Sequence, residues 1–83
     1  MYYRNRFNPG ILYDQFDNLL EVGDWVVYRS SFLEVGKIKE IKVSTFIMTL
    51  ANGREMRCKS PNQTFNLTKA GLTEDQILKA ISE

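Results

Sequence analysis

Apolar and polar residues alternate through most of the middle of the chain, and this period of two predicts strands. In the run 22–29, Val22, Val26 and Tyr28 share one face, with Trp25 and Val27 on the other. Ser30-Ser31 ends that run, and a longer strand follows over 33–43 with Gly36 inside it. Its Ile38 and Ile41 are three apart, so a β-bulge near Lys39-Glu40 is needed to return both to the core. A third strand over 45–50 sends Phe46, Met48 and Leu50 inward and Ile47 outward. Asn52-Gly53 is a strong short hairpin signal, with both turn positions expected at φ > 0. The fourth strand, over 54–59, sets Met56 and Cys58 on one face and Arg57 and Lys59 on the other. Ser60-Pro61-Asn62-Gln63 reads as a turn, after which Phe65 and Leu67 alternate in a short final strand.

The period changes at both ends. Leu12, Phe16, Leu19 and Leu20 recur at i, i+4, i+7 and i+8, which predicts a short helix over 12–20. Asn8-Pro9 would cap it and Phe7 would staple onto Leu12, although Pro9-Gly10 reads equally well as a turn. The C-terminal helix is better signalled. Thr73 is its N-cap and Gln76 completes a capping box, with Leu72 and Ile77 at the staple positions. Glu74 and Asp75 sit where the helix dipole favours acid, and Ile77, Leu78 and Ile81 form an apolar stripe. There is no internal repeat and no low-complexity tract.

Short strands, a tight hairpin and a long bulged second strand are the pattern of a small, strongly bent barrel. Gly23-Asp24-Trp25-Val26, Gly36-Lys37-Ile38-Lys39-Glu40-Ile41 and Thr49-Leu50-Ala51-Asn52-Gly53 resemble Gly-Asp-x-Val, Gly-x-Ile-x-x-Ile and x-Leu-x-Asn-Gly. Barrels of the Kyrpides–Ouzounis–Woese and Tudor-like groups, within the Src-homology-3-like superfamily, are similar over residues 22–68. The resemblance implies a mainly β fold, a small five-stranded Src-homology-3-like (SH3-like) barrel with a short N-terminal helix and a C-terminal helix. The chain then divides into an arm and helix over 1–21, the barrel over 22–68 and a closing helix over 69–83, one domain in all. There are departures from the family pattern. Ser30-Ser31-Phe32-Leu33 stands where the Kyrpides–Ouzounis–Woese pattern has a glycine-rich loop, and the acidic and aromatic loop signature of proline-peptide binders is missing. A methyl-lysine cage needs several convergent aromatics, for which Trp25, Tyr28 and Phe32 are the evident candidates. The resemblance therefore implies a fold and a habit of binding, and no named activity.

Composition narrows the function classes. In 83 residues there is room for one modest core, contributing ~3–5 kcal/mol, and Cys58 has no second cysteine to pair with. A reducing, cytoplasmic setting fits that single thiol. The chain has no histidine, which removes the commonest general base and the commonest zinc ligand. No metal, cofactor or catalytic residue is expected. Ser30, Ser31 and Cys58 are nucleophiles without an evident base, and the pairs Asp14/Asp17 and Glu74/Asp75 need no acid–base role. The start carries charge with no apolar run behind it, and nothing approaches the ~20 apolar residues of a membrane span.

Net charge is +1, but it is unevenly spread. Residues 1–36 carry −2, residues 37–69 carry +5, and the remainder carries −2. Lys37, Lys39, Lys42, Arg54, Arg57 and Lys59 lie on strands that should be adjacent, and together they could track a phosphate backbone. The plainer reading is a solvated sheet face on which cations discourage edge pairing. Tyr2, Tyr3, Arg4 and Arg6 interleave aromatic and basic groups, as a partner contact or as an unstructured terminus. Trp25, Val27 and Ile47 fall on the outer face, where one of the helices would cover them or Trp25 would meet a partner. Two functions follow, both non-catalytic. The concentrated charge ranks binding of nucleic acid or a nucleoprotein slightly first. The alternative is a protein-binding modulator, such as a small phage or bacterial protein that docks on a larger enzyme, monomeric or weakly self-associating.

Overall fold

The structure, a computed structural model, describes residues 10–82. Five strands form one antiparallel sheet: β1 (Trp25–Arg29), β2 (Leu33–Ile41), β3 (Phe46–Leu50), β4 (Glu55–Cys58) and β5 (Thr64–Asn66). A single turn of 3-10 helix, Pro61–Gln63, precedes β5, and α1 (Glu74–Ile81) closes the described chain. The sheet order is β4-β3-β2-β1-β5, so successive hairpins build a meander and β5 returns to pair with β1. No ladder joins β4 to β5 among the described residues, and the sheet is not closed.

The alternation of the sequence becomes two faces. Val26, Tyr28, Ile38, Phe46, Met48, Leu50 and Cys58 are buried on the inner face, joined by Leu12 and Leu20 from the segment before β1. The bulge expected near Lys39-Glu40 is present. Ile38 pairs with Met48, Glu40 pairs with Ile47, and the register shift between them brings Ile41 opposite Phe46. Without that extra residue Ile41 would face solvent, because one residue of slip inverts a strand's faces. The β3–β4 hairpin also forms at Asn52-Gly53, with a different turn. Gly53 alone takes positive φ, at 89°, and its N–H donates to the Leu50 carbonyl at 2.9 Å. Asn52 stays at negative φ and its Oδ1 accepts the Arg54 N–H at 2.9 Å. The three-residue loop relieves Asn52 of the left-handed geometry that a two-residue turn would demand.

Three expectations are corrected. Val22 is outside β1 and exposed, because a turn through Gly23, φ 96°, precedes the strand. Residues 12–20 form no helix. They fold back on themselves through a bridge between Tyr13 and Leu19, with Asp17 at φ 65° in the bend. The cause is Asp14, whose carboxylate accepts the N–H groups of Phe16 and Asn18, both at 2.8 Å, and so offers the backbone an alternative to helical bonds. Of the four residues on the expected helical stripe, Leu12 and Leu20 are buried while Phe16 and Leu19 are exposed. In β5 the faces are the reverse of an apolar-in strand. Thr64 and Asn66 point inward and are fully buried, while Phe65 turns out to meet Phe16 edge-on at 5.3 Å.

The C-terminal helix starts where its cap predicts. Thr73 Oγ1 accepts the Gln76 N–H at 3.2 Å, and Gln76 Oε1 accepts the Thr73 N–H at 2.9 Å. Ile77 is buried on it, whereas Leu78 of the expected stripe is exposed.

Candidate functional site

Cross-strand pairing places the basic residues. Trp25, Lys37, Thr49 and Glu55 lie opposite one another in successive strands and so share the outer face. Beyond the bulge, Glu40, Ile47 and Arg57 continue that face. The face is thus mixed in sign. Lys37 Nζ lies 3.6 Å from Glu74 of α1, Lys39 bonds Glu55 of β4, and Lys42 Nζ donates to Glu40 at 3.2 Å. The Glu55 hydrogen bond and charge raise the Lys39 pKa, which keeps this amine charged but beside an opposite charge. Arg54, Arg57 and Lys59 differ. All are exposed, and among the described residues none has a carboxylate within 4.0 Å. The six cations expected to converge therefore separate: Lys37, Lys39 and Lys42, on and just after β2, each sit beside a carboxylate, while Arg54, Arg57 and Lys59, on and flanking β4, have none within 4.0 Å among the described residues.

Trp25 does not serve as an exposed contact. It is 8% exposed, and like Ile77 of α1 it is buried outside the main core cluster. Lys37, directly opposite Trp25, meets Glu74 of α1, which brings the closing helix to this side of the sheet. The indole Nε1–H is buried without a hydrogen-bond partner among the described residues. Tyr2, Tyr3, Arg4 and Arg6 lie outside the described residues.

A second surface lies on the segment before β1, organised by Asp14. The Asp14 carboxylate accepts four hydrogen bonds, from the N–H groups of Phe16, Asn18 and Asn66 and from Asn18 Nδ2. Burial pushes its pKa up, but the bonds from Asn18, Asn66 and Phe16 outweigh that and hold the carboxyl below its ordinary value. Asn66 extends the network. Its Nδ2 donates to Asp24 Oδ2 at 2.9 Å and to the Leu19 carbonyl at 3.2 Å, and its Oδ1 accepts the Lys69 N–H at 3.0 Å. Lys69 Nζ closes the set on Asp24 at 2.8 Å and Glu21 at 2.6 Å, and those two bonds raise its pKa. With its backbone so fixed, the 11–22 hairpin turns Leu12 and Leu20 into the core and leaves its other apolar side chains outside. Ile11 is 71% exposed, Tyr13 50%, Phe16 63% and Val22 62%. Tyr13 and Leu19 are bridge partners and so project to the same side. Ile11, Leu19 and Val22 line a groove of about 500 Å³ together with Lys39, Glu40 and Ile41.

The chemistry available elsewhere is slight. The Cys58 thiol is buried, and desolvation pushes its pKa up to about 12, so it stays protonated and a poor nucleophile. Among the described residues no group of three or more Cys, Asp or Glu side chains is placed to hold a metal ion. No helix among them is long and apolar enough to cross a membrane. No protein-family model matches the chain, and neither a curated protein nor a solved structure matches it.

Proposed function

We propose that this chain is a non-catalytic binding module that docks on a protein partner through the apolar side of its 11–22 hairpin. The observation that carries this reading is the row Ile11, Tyr13, Leu19 and Val22, left exposed on a hairpin whose backbone is pinned by Asp14. Folded chains seldom leave such a patch uncovered without a use for it, and the tyrosine in that row is a residue type that anchors interfaces. The open sheet is read as a member of the Src-homology-3-like barrels. The meander, the bulge in β2 and the return of β5 to β1 support that assignment. A cytoplasmic setting suits the single buried thiol.

Nucleic-acid binding is the second reading, and it narrows to Arg54, Arg57 and Lys59, those of the six expected cations that have no carboxylate within 4.0 Å among the described residues. One experiment separates the two. Proteins captured by the wild-type chain are compared with those captured by Ile11→Ser/Val22→Ser and by Arg54→Glu/Arg57→Glu/Lys59→Glu. A partner lost from the hairpin variant and kept by the charge-reversed one supports the proposal. Oligonucleotide binding lost only from the charge-reversed variant, with no protein captured selectively through the hairpin, overturns it.

A further inference from the structure

The two edges of the sheet are treated differently. At β5, the Gln15 N–H donates to the Thr64 carbonyl at 3.1 Å and Asp14 accepts the Asn66 N–H at 2.8 Å, so the hairpin segment plugs that edge. At β4 nothing among the described residues does so. Leu50 N–H donates to the Arg54 carbonyl, and Met48 faces Met56 and Phe46 faces Cys58 in the same phase. In an antiparallel ladder the intervening residues then turn their backbone groups away from the partner strand. Those residues are Glu55 and Arg57, whose N–H and C=O groups make no hydrogen bond among the described residues.

We propose that the free edge of β4 accepts an extended acidic peptide segment of a protein partner as an added sixth strand. Main-chain bonds to Glu55 and Arg57 hold the segment. Arg54, Arg57 and Lys59, exposed on or beside that edge strand with no carboxylate within 4.0 Å among the described residues, select its charge. The pattern of the peptide follows from the pleat. A residue opposite Arg57 lies on the outer face, within reach of its guanidinium, and is acidic. A residue opposite Met56, which is only half-buried, lies on the inner face and is apolar. The same cations discourage a second copy of this chain from pairing edge to edge, since both edges would carry like charge. Strand addition of this kind draws affinity from the backbone and specificity from alternate side chains. The surface is distinct from the apolar hairpin face, so either proposal can fail alone.

The test uses the full chain with a fluorescent peptide that alternates glutamate and valine. Three comparisons accompany it: the same peptide N-methylated on the bonding edge, its lysine-for-glutamate counterpart, and a single-stranded oligonucleotide. Binding of the acidic peptide is expected to weaken by about tenfold or more on N-methylation and in Arg57→Glu. Amide exchange at Glu55 and Arg57 is expected to slow in its presence. Arg57 is exposed, and the N-methyl comparison needs no change in the protein at all. The proposal is overturned by no binding of the acidic peptide, or by equal binding of the N-methylated one, which would leave charge attraction alone. It is overturned equally if the oligonucleotide displaces the peptide while the β4 amides exchange at an unchanged rate.

Discussion

Asp14 decides the conformation of the segment before β1, and it does so as a charged acceptor. Three backbone N–H groups depend on it, one of them in β5, 52 residues away. Replacing it by alanine orphans those donors in a site where Asp14 itself is 3% exposed, and we expect a loss of about 3 kcal/mol in urea unfolding. Asp14→Asn keeps an acceptor of the same shape and is expected to lose less. The two differ in pH dependence. The folded Asp14 carboxyl lies below its ordinary value of 3.8, so its charge stabilises the fold fully above that value. That contribution is lost as pH falls through the lowered folded value. The wild-type advantage over Asp14→Asn should therefore be constant near neutrality and shrink below about pH 4. A difference between the two that persists unchanged into acid would show that the charge is not what Asp14 contributes.

At the level of elements, α1 rests on its own cap more than on the sheet. Ile77 is its one buried residue, and it lies outside the main core cluster. Thr73→Ala removes the reciprocal capping bonds, and we expect about 1 kcal/mol of local stability to be lost. Hydrogen exchange should quicken across α1 and leave the β3 amides unchanged; a matching loss in β3 would make the helix part of the cooperative unit. This helix was legible in the sequence because all its determinants lie within a few residues of Thr73. The strands and the bulge were legible for the same reason, since the spacing of Ile38 and Ile41 is a local fact. The failures share the opposite property. A helical stripe at Leu12, Phe16, Leu19 and Leu20 is indistinguishable from a hairpin until Asn66 arrives to bind Asp14. Likewise Asn66 faces inward only because distant partners, Asp14, Asp24 and the Leu19 carbonyl among them, satisfy its polar atoms, whereas the Thr64 hydroxyl is satisfied nearby by the Pro61 carbonyl. An Asx turn at Asp14 was the available clue, since aspartate followed by polar residues competes with helix through its own backbone.

For the whole molecule, the question is how much of the +5 segment acts as positive charge toward a partner. Its Lys37, Lys39 and Lys42 sit beside Glu74, Glu55 and Glu40, and the count along the segment does not anticipate Glu74, which comes from a different part of the chain. The ion pairs are exposed and individually weak, so a polyanion could compete for them. Titration of labelled oligonucleotides against salt measures the outcome directly. Each phosphate neutralised contributes about −0.9 to the slope of log K against log salt for duplex and about −0.7 for single strands. If only Arg54, Arg57 and Lys59 are available, the duplex slope should be about −3, with weak binding that disappears at physiological ionic strength. A slope near −5 would mean that Lys37, Lys39 and Lys42 leave their carboxylates and join the contact. That steeper slope, with binding retained at physiological salt, would return nucleic acid to first place and reduce the apolar hairpin to a secondary surface. The shallower one leaves the β4 cations too few to hold a polyanion unaided, and adequate to choose an acidic strand that the sheet edge itself binds.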